Sequence, residues 1–123
     1  MKEYRTDFCS FFRHDNGILE IVVDEGIEVD DKKTQQFLDT IAAIEPKVEL
    51  ALVNRINKYS YTFKANMMLA SARVVPYVAV VNYKRPPWPL SGVFFPKFYN
   101  LAFFGKYQEA EQWLLGKTQR KSA

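Results

Sequence analysis

The chain has 123 residues, 48% of them hydrophobic and 25% charged, with a net charge of +3. It is one domain's worth of globular sequence, long enough to bury roughly two-thirds of its unfolded surface; that balance excludes a disordered chain, and no run approaches the ~20 apolar residues of a spanning helix. The single cysteine, Cys9, excludes an internal disulfide, and "MKEYRTDF" lacks the apolar run of a signal peptide, so a reducing, cytoplasmic setting is expected.

The charge is unevenly spread. Residues 1–53 sum to −6, residues 54–83 to +4 and residues 84–123 to +5. Such a chain suits self-association, an anionic partner or a membrane surface, unless its two halves interleave in space.

The first elements read as a β-hairpin. Phe8–Arg13 and Ile18–Asp24 flank Asp15-Asn16-Gly17, and Asn-Gly tolerates the positive φ of a tight turn. Leu19, Ile21 and Val23 alternate with Ile18, Glu20, Val22 and Asp24, which gives the second strand one better-buried face. "DDKKTQQFLDTIAAIEP" predicts a helix capped by Asp30 or Asp31, with Phe37, Leu38, Ile41 and Ile44 at helical spacing and Pro46 past its end. Val48–Ile56 is an apolar run of strand length. Ser60 and Thr62 then offer caps for a second helix over "FKANMMLASA", ending before Pro76. Tyr77–Tyr83 is a nearly continuous apolar run, the mark of a central strand covered on both faces.

Beyond a proline-rich turn, "LSGVFFPKFYN" is expected to be helical, with Pro96 in a first turn or at a kink. "LAFFG" is a short strand. "KYQEAEQWLLGK" closes as a helix with Tyr107, Ala110, Trp113 and Leu114 on one face and Gly116 at its end. The order ββαβαβαβα predicts an α/β fold, a mixed five-stranded sheet with a β-hairpin and then right-handed crossovers, flanked by helices. One domain is expected over residues 1–116, with a basic C-terminal tail at 117–123.

This order, with the opening "GILEIVV", the strand "VELALVNR" and the closing "LAFFGKYQEAEQWLL", resembles the STAS-like domains, the SpoIIAA-like family of sporulation anti-sigma-factor antagonists. Its small uncharacterised bacterial members are the nearest in kind, and the likeness covers about residues 8–116. The resemblance implies a non-enzymatic regulatory or protein-interaction module, a homodimer or bound to a protein partner, with no cofactor. It also implies a switch serine in an Asp-Ser-Ser-Gly turn before the second helix, where added phosphate charge is felt by the helix N-terminus. Here that turn is "NKYSYTFK". Ser60 and Thr62 occupy roughly the switch position without the aspartate or the glycine, so a plain helix cap is the preferred role for either.

No catalytic constellation is recognisable, and no enzyme is expected. His14 is the sole histidine and lies beside Asp15 at a hairpin turn, an exposed place for the base of a triad. One His and one Cys do not make a zinc site, and Cys9 reads as a buried strand thiol. The acidic stretch "DEGIEVDD" lacks EF-hand spacing and reads as a solvated loop with helix-cap acids. The glycines are scattered singly, so there is no phosphate loop. Lys58, Lys64, Arg73, Lys84 and Arg85 lie among aromatics, as on single-strand stacking platforms, yet they are spread along the chain. Nucleic acid is not the expected partner.

Arg85–Phe104 holds seven aromatics and four prolines in twenty positions. Core packing absorbs about half of this stretch. The prolines of "PPWPL" hold Trp88 and Leu90 outward or over a cleft, as at an interface or a ligand groove. The expected ligand- or partner-binding residues are Arg85, Pro87, Trp88, Leu90, Phe94, Phe95 and Lys97. They serve a protein interface, or a Phe-lined pocket for a small apolar or amphipathic, lipid-like ligand. In the second case the fold is similar to the CRAL-TRIO lipid-transfer domains, and Arg85 or Lys97 takes an anionic head group. Peripheral membrane contact through Trp88 and Phe94 is the third expectation.

Overall fold

The structure is a computed structural model that describes residues 1–72, 74–83 and 100–122. Its strands are β1 (Lys2–Arg5), β2 (Cys9–Arg13), β3 (Ile18–Val23), β4 (Glu28–Val29), β5 (Leu50–Asn54), β6 (Ser60–Tyr61), β7 (Tyr77–Val81) and β8 (Asn100–Phe104). Its helices are α1 (Asp31–Ala43), α2 (Phe63–Ser71) and α3 (Tyr107–Ser122).

The hairpin is made by the Asn-Gly turn. Gly17 takes φ +93°, open to glycine and strained for other residues, and its N–H donates to the His14 carbonyl at 3.0 Å. The Ile18 N–H donates to Asn16 Oδ1 at 3.1 Å, and β2 and β3 then pair antiparallel with Cys9 opposite Val23. From β3 onward the chain crosses over in parallel: β3 pairs with β5, β5 with β7 and β7 with β8.

The sheet order is β1-β2-β3-β5-β7-β8, an α/β architecture with the expected opening hairpin and parallel crossovers. It holds one strand more than the sequence pattern predicts. β1, Lys-Glu-Tyr-Arg, is too polar to show a strand signal, and it is held at the edge by pairing with β2 and by Arg5, which donates to Asp24 at 2.9 and 2.5 Å. A two-residue parallel ladder of β4 with β6 ties the loops before α1 and α2 together.

Strand alternation sends side chains to two cores. On one face Leu19, Ile21, Val23, Ala51, Val53 and Val78 pack with Ile41 and Ile44 of α1 and its C-cap, and with Ala65 of α2. On the other, Ile18, Leu50, Leu52, Ala79 and Val81 meet Ala110 and Leu114 of α3. β5 is buried along its whole length, as a parallel strand covered on both faces must be.

The helix caps follow the sequence closely. Asp30 caps α1 by accepting from the Lys33 N–H at 2.9 Å. Thr62, not Ser60, caps α2, accepting from the Ala65 N–H at 3.1 Å; Ser60 lies in β6. Gly116 does not end the last helix, because α3 continues to Ser122 and Lys117 lies 4.8 Å over the Trp113 ring. The helix expected at Leu90–Asn100 lies outside the described residues, apart from Asn100, which starts β8.

Candidate functional site

Of the residues expected to bind a ligand or partner, Arg85, Pro87, Trp88, Leu90, Phe94, Phe95 and Lys97 all lie outside the described residues. Ser60 is exposed and Thr62 half-buried, the latter occupied as a cap. The first has an accessible hydroxyl and the second an engaged one.

Between the sheet and the α1–α2 layer lies a cavity of about 170 Å³. The sheet contributes Ile21, Ala51, Val53, Val78, Val80 and Leu101, and the helices Phe37, Leu38, Ile41 and Leu69. Ala51 is the smallest of these sheet residues, and its side chain faces the same space as Ile21 and Val53. Phe103, 41% exposed, lines it at the β8 side. The polar members are Asn66, Tyr61 and Arg55.

A second, polar cleft of about 540 Å³ opens where β5 and β7 end. Glu25, Asn57, Lys58, Tyr59, Asn82 and Tyr83 line it, and so does Arg55. Open α/β sheets bind ligands at such carboxyl ends of parallel strands. The loop is well fixed: Asn57 Nδ2 donates to the Val23 carbonyl at 2.9 Å, the Lys58 N–H to Glu25 Oε1 at 3.0 Å, and the Gly26 N–H to the Lys58 carbonyl at 2.7 Å.

Arg55 belongs to both spaces. Its guanidinium donates to the Tyr59 carbonyl at 3.0 Å and lies 4.6 Å over the Tyr59 ring and 5.6 Å from that of Tyr61. The two rings meet edge to face at 5.4 Å with their hydroxyls 3.3 Å apart. Burial pushes both phenols above their ordinary range, so both stay neutral beside the cation at neutral pH. Among the described residues Arg55 forms no salt bridge.

On the α3 face sequence reasoning missed a polar network. Glu20, its side chain 15% exposed, accepts from Asn54 Nδ2 at 2.8 Å and from the Tyr107 hydroxyl at 3.2 Å, and meets His14 Nε2 at 2.8 Å. Asn54 Oδ1 in turn accepts from the Tyr83 hydroxyl at 2.8 Å. Burial first, and the Glu20 charge second, push the Tyr107 and Tyr83 phenols upward, which keeps both protonated as donors. His14 is thus not a free turn tip but half-buried against a carboxylate. Only Tyr83 of these five lines the cleft or the cavity, so the network pins the hairpin, β5, the end of β7 and α3 together. Its sequence signal is slight: Glu20 interrupts an apolar strand, while Asn54 and Tyr83 end one.

The acids of residues 24–31 are all accounted for locally except Glu28, which is exposed in β4. Asp24 pairs with Arg5, Glu25 takes the Lys58 N–H, Asp30 caps α1, and Asp31 pairs with Lys64 at 3.2 Å. Among the described residues no helix is long and apolar enough to cross a membrane.

No family model and no curated protein matches the chain. A solved structure does. The crystal structure of an uncharacterised DUF3478-family protein with a SpoIIAA-like fold, from Shewanella loihica PV-4, aligns with a TM-score of 0.56. The alignment covers 86% of this chain and 91% of that one at 14% identity. A likeness at that identity is one of architecture, and it agrees with the sheet order and helix placement above: the fold of this chain is SpoIIAA-like.

Proposed function

We propose that this domain is a binding module rather than a catalyst, and that its ligand is a small apolar or amphipathic molecule taken between the sheet and α1–α2. The observation that supports the reading is the cavity of about 170 Å³ walled by Ile21, Phe37, Ile41, Val53 and Leu69. A cavity of about 150 Å³ with such walls stays dry and takes up one benzene ring. The space therefore suits a ring or a chain of about six to eight carbons. Native mass spectrometry of the gently purified protein tests this. A bound organic ligand, recovered on solvent extraction, is the expected result. A bare protein that also takes up no 1-octanol overturns it.

A second reading, a self-associating or partner-binding surface, is favoured by a separate observation. Phe63 is 79% and Met67 53% exposed. They stand one turn apart on α2 and so share a face. Together they form an exposed apolar spot on α2 that a partner surface could cover. The same spectra report subunit count: a dimer that Phe63→Ser with Met67→Ser converts to monomer supports it, and a monomer at all concentrations removes self-association.

A further inference from the structure

Among the described residues the apolar cavity and the polar cleft share one, Arg55. From this juxtaposition, and resting on the ligand-binding reading, we infer that the ligand is an amphipathic anion. Its apolar body of about six to eight carbons fills the cavity, and its carboxylate or phosphate meets the Arg55 guanidinium at the boundary with the cleft.

Three observations carry this. First, the partly buried Arg55 guanidinium helps to line an apolar cavity and has no carboxylate partner among the described residues. The described residues offer it none: Glu25, the only acid lining the cleft, accepts from the Lys58 N–H, and Asp24 and Asp31 are paired elsewhere. Second, Arg55 is positioned before any ligand arrives. Its guanidinium lies over the Tyr59 ring with the Tyr61 ring adjoining, and the Tyr59 carbonyl takes one N–H, leaving the rest of the fork for an anion, which arginine holds through paired N–H groups. Third, the surroundings are cationic. Among the described residues the cleft is lined by two cations, Arg55 and Lys58, against one acid, Glu25, and Lys58, Asn57 and Asn82 lie beyond Arg55, where a larger head group would extend.

The test compares octanoate, octyl phosphate and 1-octanol, which share a chain and differ in charge, by isothermal titration at pH 7.5. At least one anion should bind tenfold or more tightly than 1-octanol, and Arg55→Gln should erase that gap. Preference for octanoate identifies a carboxylate, and preference for octyl phosphate a phosphate that also engages Lys58. Equal binding of all three overturns the anion inference and leaves the cavity reading standing. Failure of all three, 1-octanol included, overturns the cavity reading itself. Should Arg55→Gln not fold, a salt series on the unaltered protein decides: anion affinity should fall between 0.05 and 0.5 M salt while that of 1-octanol does not, and parallel behaviour of the two overturns the inference.

Discussion

Ala51 is 2% exposed on β5, and its side chain lines the cavity. Ala51→Leu adds three carbons directed into that space. At about 0.8 kcal/mol per buried carbon the gain is about 2.4 kcal/mol, and fixing the leucine rotamer costs about 0.5–1 kcal/mol. The expected net effect is a stabilisation of about 1.5 kcal/mol. In a closed, fully packed core the same change would overpack and destabilise by about 1–3 kcal/mol, so the sign alone decides. Urea denaturation is the assay, with the midpoint rising and the slope unchanged. In the same variant 1-octanol affinity should drop at least tenfold, because the added side chain occupies its place. A lower midpoint with a native-like spectrum would refute the existence of usable space behind β5. A higher midpoint with undiminished 1-octanol binding would refute its role in binding.

Four further outcomes follow from the same geometry. Asn54→Ala leaves the half-buried Glu20 carboxylate without one donor and should cost about 1–2 kcal/mol, whereas Tyr83→Phe, at a half-exposed hydroxyl, should cost under about 1 kcal/mol; urea midpoints compare the two. Thr62→Ala should lower stability by about 1 kcal/mol through the lost α2 cap, and Ser60→Ala should stay within about 0.5 kcal/mol, which separates cap from surface hydroxyl. The Arg5 guanidinium holds the Asp24 carboxyl below the usual range, so the pair's small contribution is complete above the ordinary carboxylate pKa of about 3.9 and is lost as pH falls further through the folded value. An NMR titration should show the Asp24 midpoint rising in Arg5→Gln, and an unmoved midpoint contradicts the pairing. Burial pushes the Cys9 thiol up to about 12, so a disulfide reagent at pH 8 should label it only as urea unfolds the chain; labelling of the native protein at the rate of a free thiol contradicts its place in the core.

Legibility in the sequence tracked how much each element depends on local chemistry. The β2–β3 hairpin, α1 and α2 are set by Asn16-Gly17, Asp30 and Thr62, residues that act within a few positions of themselves. β7 was readable because a strand covered on both faces is apolar throughout. β1, β4 and β6 were not, since polar or two-residue strands carry no periodicity and exist only through their partners. Gly116 misled for a related reason: its cost inside a helix, about 1 kcal/mol, is offset by packing such as Lys117 over Trp113. The cavity and the Glu20 network were illegible because each assembles residues from elements far apart in the chain. Arg55 was overlooked as one cation among many, and what distinguishes it is the pair of tyrosines around it and the two spaces it borders.

Asn54 and Arg55 are neighbours in the chain, yet one side chain enters the α3-face network and the other lines the cavity and the cleft. The pleat makes this so, since consecutive residues of a strand leave by opposite faces. Length in this short stretch is therefore under stricter control than composition. One residue inserted between Val53 and Asn54 would exchange the two sides, sending a guanidinium toward Glu20 and an amide toward the apolar space.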